Sequence, residues 1–159
     1  MKNNFFKMNY SSYRLLANSC GNLLISDKLR RERQFLQHGV INVFHHSISV
    51  ALVSIYISKL FNLNVDQTSL IRGALLHDYF LYDWHHKDCS HRWHGYTHAK
   101  RALDNAEKDF SLNDIEKDII RKHMFPLNIT PPKYKESYIV CISDKLVAIH
   151  ETIFKRIIL

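Results

Sequence analysis

Apolar positions recur at three- and four-residue intervals along most of this chain, the spacing of one helix face. The longest run, Val40, Val43, Phe44, Ser47, Val50, Ala51, Ser54, Ile55 and Ser58, predicts a helix over about 41–61. Its serines are small enough to let a neighbouring helix approach. Upstream, residues 1–9 carry no period, and Tyr13, Leu16, Ala17 and Cys20 predict a first helix over about 10–24. Ser26 is a candidate cap for a strongly charged helix, 27–37, ended near Gly39. Downstream, Asp66 follows the turn residues Asn64-Val65 and caps a helix over 67–79. A polar-amphipathic helix covers 97–109, a capping pattern opening at Ser111 precedes a helix over 114–123, and a last helix runs over 134–157. All three prolines fall between 124 and 133, which must be a loop. Residues 80–96 break the pattern, the run LYDWHHKDCSHRWHGY within them has no clear period, and a long irregular stretch inside a compact domain is usually functional or mobile. No β-alternation is long enough for a strand. The expectation is an all-α, single-domain bundle of about six to eight helices.

Size and composition narrow this further. The 159 residues suffice for one core and not for two, and 46% hydrophobic with 23% charged residues is a globular composition. The net charge of +7 favours anionic ligands. The basic residues are spread out, apart from Lys28, Arg30, Arg31 and Arg33, so a nucleic-acid partner is not expected. Three cysteines without CxxC spacing indicate neither a disulfide framework nor a thiolate zinc site, and fit a reducing cytoplasm. Asn and Ser interrupt the N-terminal stretch where a signal peptide needs an apolar core. Ser47–Phe61, broken by serines and Lys59, suits a buried helix better than a membrane span.

The chemistry sits where polar residues interrupt apolar faces. In Ala74-Leu75-Leu76-His77-Asp78, read as a helix, the neighbours three and four residues from the His-Asp pair are mostly apolar. An unpaired buried carboxylate costs on the order of several kcal/mol, so Asp78 needs a metal ion or a basic side chain as partner. Asp144, flanked at helical spacing by Val140, Cys141, Val147 and Ala148, is a second carboxylate facing the core. His46 lies beside Val43, Ser49 and Val50; taken alone, such a histidine is more often a core residue bonded to backbone. Four such groups on three helices are harder to explain as packing. Two carboxylates and two imidazoles converging in one core are ligand chemistry for Mn, Fe, Co, Ni or Zn.

The order His46-Ser47 with Val50-Ala51, then His77-Asp78, then Asp144-Lys145 resembles that of HD-domain metal-dependent phosphohydrolases. The resemblance covers roughly 40–157 and divides the chain into a helical extension, 1–39, and the domain, 40–159. It implies that His46, His77, Asp78 and Asp144 hold one divalent ion, with Asp78 able to bridge to a second. Trp93-His94-Gly95 and His123 look similar to the extra ligands of the two-metal branch, which includes symmetrical diadenosine tetraphosphate hydrolases, although no further histidine follows until His150. His98 would share a face with His94 if the helix begins at His94, and would contact phosphate. Asp78, His98 and Lys145 are thus the candidate catalytic residues. Arg72, Lys122 and Lys145 are the candidate substrate cations, and Tyr82, Trp84 and Trp93 could stack a base or pack in the core. His45 points away from the face of His46, while His38, His85, His86, His91 and His150 read as solvated.

The leading expectation is a cytoplasmic hydrolase of a nucleotide-like phosphoester or phosphoanhydride, with one or two divalent ions as cofactor. In such an enzyme the metal lowers the pKa of bound water to about 7 and neutralises phosphoryl charge. A silent metal- or nucleotide-binding regulator of the same fold is the alternative, and a basic nucleic-acid module the third reading. No membrane partner is expected, and a homodimer stays open.

Overall fold

A computed structural model of the chain describes residues 10–38, 40–83 and 94–154, with backbone alone for residue 38 and residues 94–96. Its axis is α3, Val43–Leu60, whose Val50, Ala51, Leu52, Val53 and Ile55 are fully buried. The helix opens at Asn42, not Ile41, because the Asn42 side chain accepts a hydrogen bond from the His45 amide at 3.0 Å. By length and composition α3 could cross a membrane; here it is the core helix, two-thirds buried by its neighbours. It packs against α4, Gln67–Leu76, and α7, Lys135–Phe154. The buried serines Ser47, Ser54 and Ser58 lie on this helix.

Around it stand α1, Tyr10–Ile25, on α3 and α4; α5, His94–Asp109; and α6, Asp114–Lys122, which touches α4, α5 and α7. With α2, Asp27–Arg30, these make seven α-helices among the described residues. One apolar cluster runs from Leu16 and Cys20 through Val50 and Leu75 to Ile120 and Val147, so the N-terminal helices share the core of the rest. The α4–α6 approach depends on Gly73, where a Cβ would collide with the Ile119 side chain, 3.0 Å from its own Cβ.

Several boundaries differ from the sequence expectation. The charged helix over 27–37 is only one turn long. It passes into a 3-10 turn, Arg31–Gln34, and then β1, Leu36–His38, which pairs antiparallel with β2, Ile41–Asn42. A capped, charged run indicated a helix, but Glu32 and Gln37 within it are buried. The chain thus has a very small ribbon in an otherwise all-α fold.

The helix over 67–79 stops at Leu76, with Asp66 as its cap, accepting from the Ser69 amide at 2.8 Å. Tyr79 extended the apolar pattern because it is buried at the end of a turn, not because it is helical. That turn is closed by the Tyr79 amide on Leu76 O at 3.2 Å, and Leu81 beyond it has φ of 54°. Before α6 the cap is Asn113, not Ser111: its side chain accepts from the Glu116 amide while Glu116 accepts from the Asn113 amide. Helix α5 begins at His94, three residues earlier than the amphipathic pattern indicated.

Candidate metal centre

His77 and His123 reach the centre by the same local device. Each follows the last residue of a helix, α4 and α6 respectively, in right-handed helical conformation. The last carbonyls of a helix lack intrahelical partners. His77 Nδ1 lies 2.7 Å from Ala74 O, and His123 Nδ1 lies 2.9 Å from Ile120 O. A carbonyl only accepts, so each Nδ1 carries a proton, and each ring when neutral offers its lone pair at Nε2. His46 is oriented in the same sense by a carboxylate, with Nδ1 at 2.8 Å from Glu151 Oε2. Three imidazoles from three elements therefore present Nε2 inward.

Two carboxylates meet them. Asp144 Oδ1 is 3.1 Å from His46 Nε2 and 3.6 Å from His77 Nε2. Asp78, one residue past His77, turns its two oxygens to different sides. Its Oδ2 is 3.4 Å from His77 Nε2 and 3.9 Å from His46 Nε2. Its Oδ1 is 3.4 Å from His123 Nε2 and 3.3 Å from His98 Nε2. His98, on α5, and His123 face each other Nε2 to Nε2 at 2.8 Å, so the two rings share one proton there. Two donor groups fit a metal ion, His46–His77–Asp144 and His77–Asp78–His123.

No donor in the cluster is more than 8% exposed, and water gives these charges little help. Burial would strip His46 of a proton, but Asp144 and Glu151 outweigh it and lift its pKa to about 9. His77 is likewise raised well above the usual histidine range, with Asp78 and Asp144 overcoming burial. Burial lowers His123, opposed by Asp78. Asp78 and Asp144 are held below the usual carboxylate range by the histidines around them, against the pull of burial. The field of the cluster calls for a cation, and protons fill that place until one arrives.

His77 Nε2, Asp78 Oδ1 and Glu151 Oε1 are buried without a hydrogen-bond partner. Each such atom costs roughly 1–3 kcal/mol, and a divalent cation in the cluster would satisfy the imidazole nitrogen and the Asp78 oxygen. The donor set fits: imidazoles that offer Nε2 once a cation displaces their protons, ionised oxygens between them, and a carboxylate behind His46 that sets its tautomer.

The other predicted residues fall in different places. Arg72 lies about 140° around the helix from His77. Its Nε pairs with Glu116 at 2.6 Å and its guanidinium donates to Ser111 O, which puts it in the α4–α6 joint instead of among the donors. Lys122 is likewise turned off the centre, onto Asp118 one turn back at 2.8 Å. Lys145 is at the rim, its ammonium 3.1 Å from His123 O and 3.1 Å from Cys141 Sγ. His94 opens α5 one turn before His98, but its side chain is outside the described residues, as are Trp84, His85, His86, His91, Trp93 and the His38 side chain. Tyr82 packs under Arg101, whose guanidinium is 4.8 Å from the ring. His150, expected in solvent, is buried against Phe154. In the basic run, Lys28 and Arg31 reach Asp109 at 3.2 and 3.9 Å, and Arg33 covers the Phe44 ring.

Sequence reasoning missed two direct neighbours of the centre. Glu151 follows Asp144 by seven residues, two turns on the same face, and that spacing was the available signal. Gln37, whose Nε2 donates to Asp78 Oδ2 at 2.5 Å, left none, because its approach depends on a ribbon the local pattern does not announce.

No curated protein and no solved structure matches the chain. The family model of the HD domain matches residues 43–149, a span that holds His46, His77, Asp78, His98, His123 and Asp144 and stops short of Gln37 and Glu151. The chain therefore belongs to the HD-domain family, whose members are typically divalent-metal-dependent phosphohydrolases.

Proposed function

We propose that this protein hydrolyses a phosphoester or phosphoanhydride of a nucleotide-like substrate in the cytoplasm. The observation that carries this reading is the common orientation of His46, His77 and His123, each with Nδ1 committed to the protein and Nε2 directed at Asp78 and Asp144. His46, His77, Asp78 and Asp144 would hold one divalent ion; His123 and His98, on the other oxygen of Asp78, would hold or adjoin a second. Bound metal supplies Lewis acidity toward phosphoryl oxygens and activates water near neutral pH.

The chain's own residues do the rest. Glu151 and the two helix-end carbonyls keep the imidazoles in the metal-binding tautomer, and Gln37 fixes the Asp78 carboxylate so that it can serve both sides. His98 Nε2–H, already directed into the cluster, is placed to donate to a phosphoryl oxygen or the leaving group. Lys145 sits at the rim, and Arg101, three residues after His98 and stacked on Tyr82, is a further cation for phosphate. The near-complete burial of the donors favours a second reading, a binder without turnover.

The test joins elemental analysis of protein purified without chelator to a phosphoester panel. One or two ions per chain and turnover are expected. Asp78→Ala should lose bound metal and reduce turnover by roughly 10³-fold or more, since the metal contributes several kcal/mol to the transition state. A folded Asp78→Ala protein with full metal and undiminished turnover ends the reading, whereas metal without turnover across the panel selects the binder.

A further inference from the structure

The segment leading into α3 precedes the residues matched by the family model, yet it lies against the metal centre. Its 3-10 turn packs on α3, the Val43 amide donates to Phe35 O at 2.9 Å, and Gln37 is bonded to Asp78. The segment is thus pinned at Phe35, just before β1, and at Gln37 within it.

Within it, Glu32 behaves unlike its neighbours. Arg31, Arg33 and Gln34 face solvent, while Glu32 is 1% exposed. Three arginines surround it in sequence and none neutralises it: Arg31 goes to Asp109, Arg33 lies over Phe44, and Arg30 is exposed. Neither carboxylate oxygen of Glu32 has a hydrogen-bond partner. Burial raises its pKa well above the usual range, and the charged groups that act on it are His77, Asp78 and His46. Among the described residues no arginine or lysine pairs with this buried acid, so what its carboxylate lacks is a cation.

We propose that Glu32 is a further carboxylate of the metal centre, supplied from outside the HD-domain match, and that it balances the charge of a second divalent ion. The inference rests on the cluster being a metal centre, as argued above. Charge supports it. Asp78, Asp144 and Glu151 are the buried carboxylates within contact of the histidines, and together they carry three negative charges. Two divalent ions carry four positive charges, and Glu32 makes the set neutral in a region where an uncompensated charge is costly.

The probe is Mn²⁺ added to chelator-stripped full-length protein, followed by calorimetry, by counting bound ions, and by thermal unfolding with and without Mn²⁺. Wild type is expected to take two ions per chain. Glu32→Gln, which keeps the shape and removes the charge, should bind the second ion roughly 10- to 100-fold more weakly, the size of effect seen for groups that support metal ligands. Its metal-free melting temperature should equal or exceed that of wild type, because an unpaired buried acid has been removed, while its gain on adding Mn²⁺ should shrink. A merely structural glutamate would show the reverse, a less stable metal-free protein with wild-type ion binding, and that result overturns the proposal. If Glu32→Gln does not fold, Glu32→Asp, which withdraws the carboxylate by one methylene, is titrated instead; unchanged affinity there overturns it equally. Wild type that takes up no Mn²⁺ removes this inference and the metal-centre reading together. Equal binding by wild type and variant removes this inference alone.

Discussion

Glu116 and Asp78 are each 2% exposed, and the fold treats them in opposite ways. Glu116, between α4 and α6, has its Oε1 on Arg72 at 2.6 Å and its Oε2 on the Asn113 amide at 3.1 Å. Asn113 in turn caps α6 and donates to Ser69 Oγ, and Arg72 donates to Ser111 O, so every charge in that joint has a partner from the chain. Asp78 has one oxygen on Gln37 and the other without a hydrogen bond, in a group of histidines whose remaining lone pairs also point inward. The first arrangement is closed and joins helices. The second is short of positive charge by construction. Burial and carboxylate chemistry are common to both; the supply of an internal cation separates them, and that is the mark of a site.

Truncating one carboxylate from each region sets the contrast to work. Glu151→Ala should weaken metal binding roughly 10- to 100-fold, because His46 loses the acceptor that fixes its tautomer. Glu116→Ala should cost about 1–3 kcal/mol of stability, through a lost capping bond and an abandoned arginine, and leave ion stoichiometry unchanged. Calorimetric metal titration and denaturant unfolding of both variants check this. Loss of metal in Glu116→Ala would erase the distinction.

Acidity offers the next test. His46 in the metal-free protein has a pKa raised from the ordinary 6.5 to about 9. Its contribution to metal-free stability is fully present below 6.5 and lost as pH rises through about 9. Metal needs the neutral imidazole and must displace that proton. The gap between the melting temperatures with and without metal should therefore widen from pH 6.5 to 9 and narrow in acid. The carboxylates Asp78 and Asp144, held below their usual range, stay ionised throughout and add nothing to this window. A gap independent of pH would mean that metal does not compete for His46.

The smallest effect is expected at Lys122. Its pair with Asp118 is partly exposed, so Lys122→Ala should change stability by no more than about 1 kcal/mol and leave KM for a phosphoester substrate unaltered. A tenfold rise in KM would restore the residue to the substrate site.

Residues whose environment is set by their own helix were legible in the sequence. His46, His77, Asp78 and Asp144 stand out because apolar neighbours at three and four residues define a buried face. The caps at Asp66 and Ser26 followed from side chains that satisfy amides three residues on. The extent of the HD-domain match agrees with the resemblance read from these positions. Arg72 and Lys122 turn away because closeness in sequence is not closeness on a helix: Lys122, one step from His123, points about 100° from it, and Arg72, five steps before His77, about 140°. Residues 31–38 were misread for a related reason, since a short charged segment has weak helical preference of its own and is decided by what it packs against.

The sequence by itself determined that this is an all-α bundle with imidazoles and carboxylates on inward faces, because helical periodicity and the cost of burying charge are local consequences of residue order. The tertiary structure decided which of these groups share one volume, that Glu151 and Gln37 close in around them, and which cations turn away. Those outcomes depend on where separate helices end and how they cross, and such distances are set by packing between segments remote along the chain.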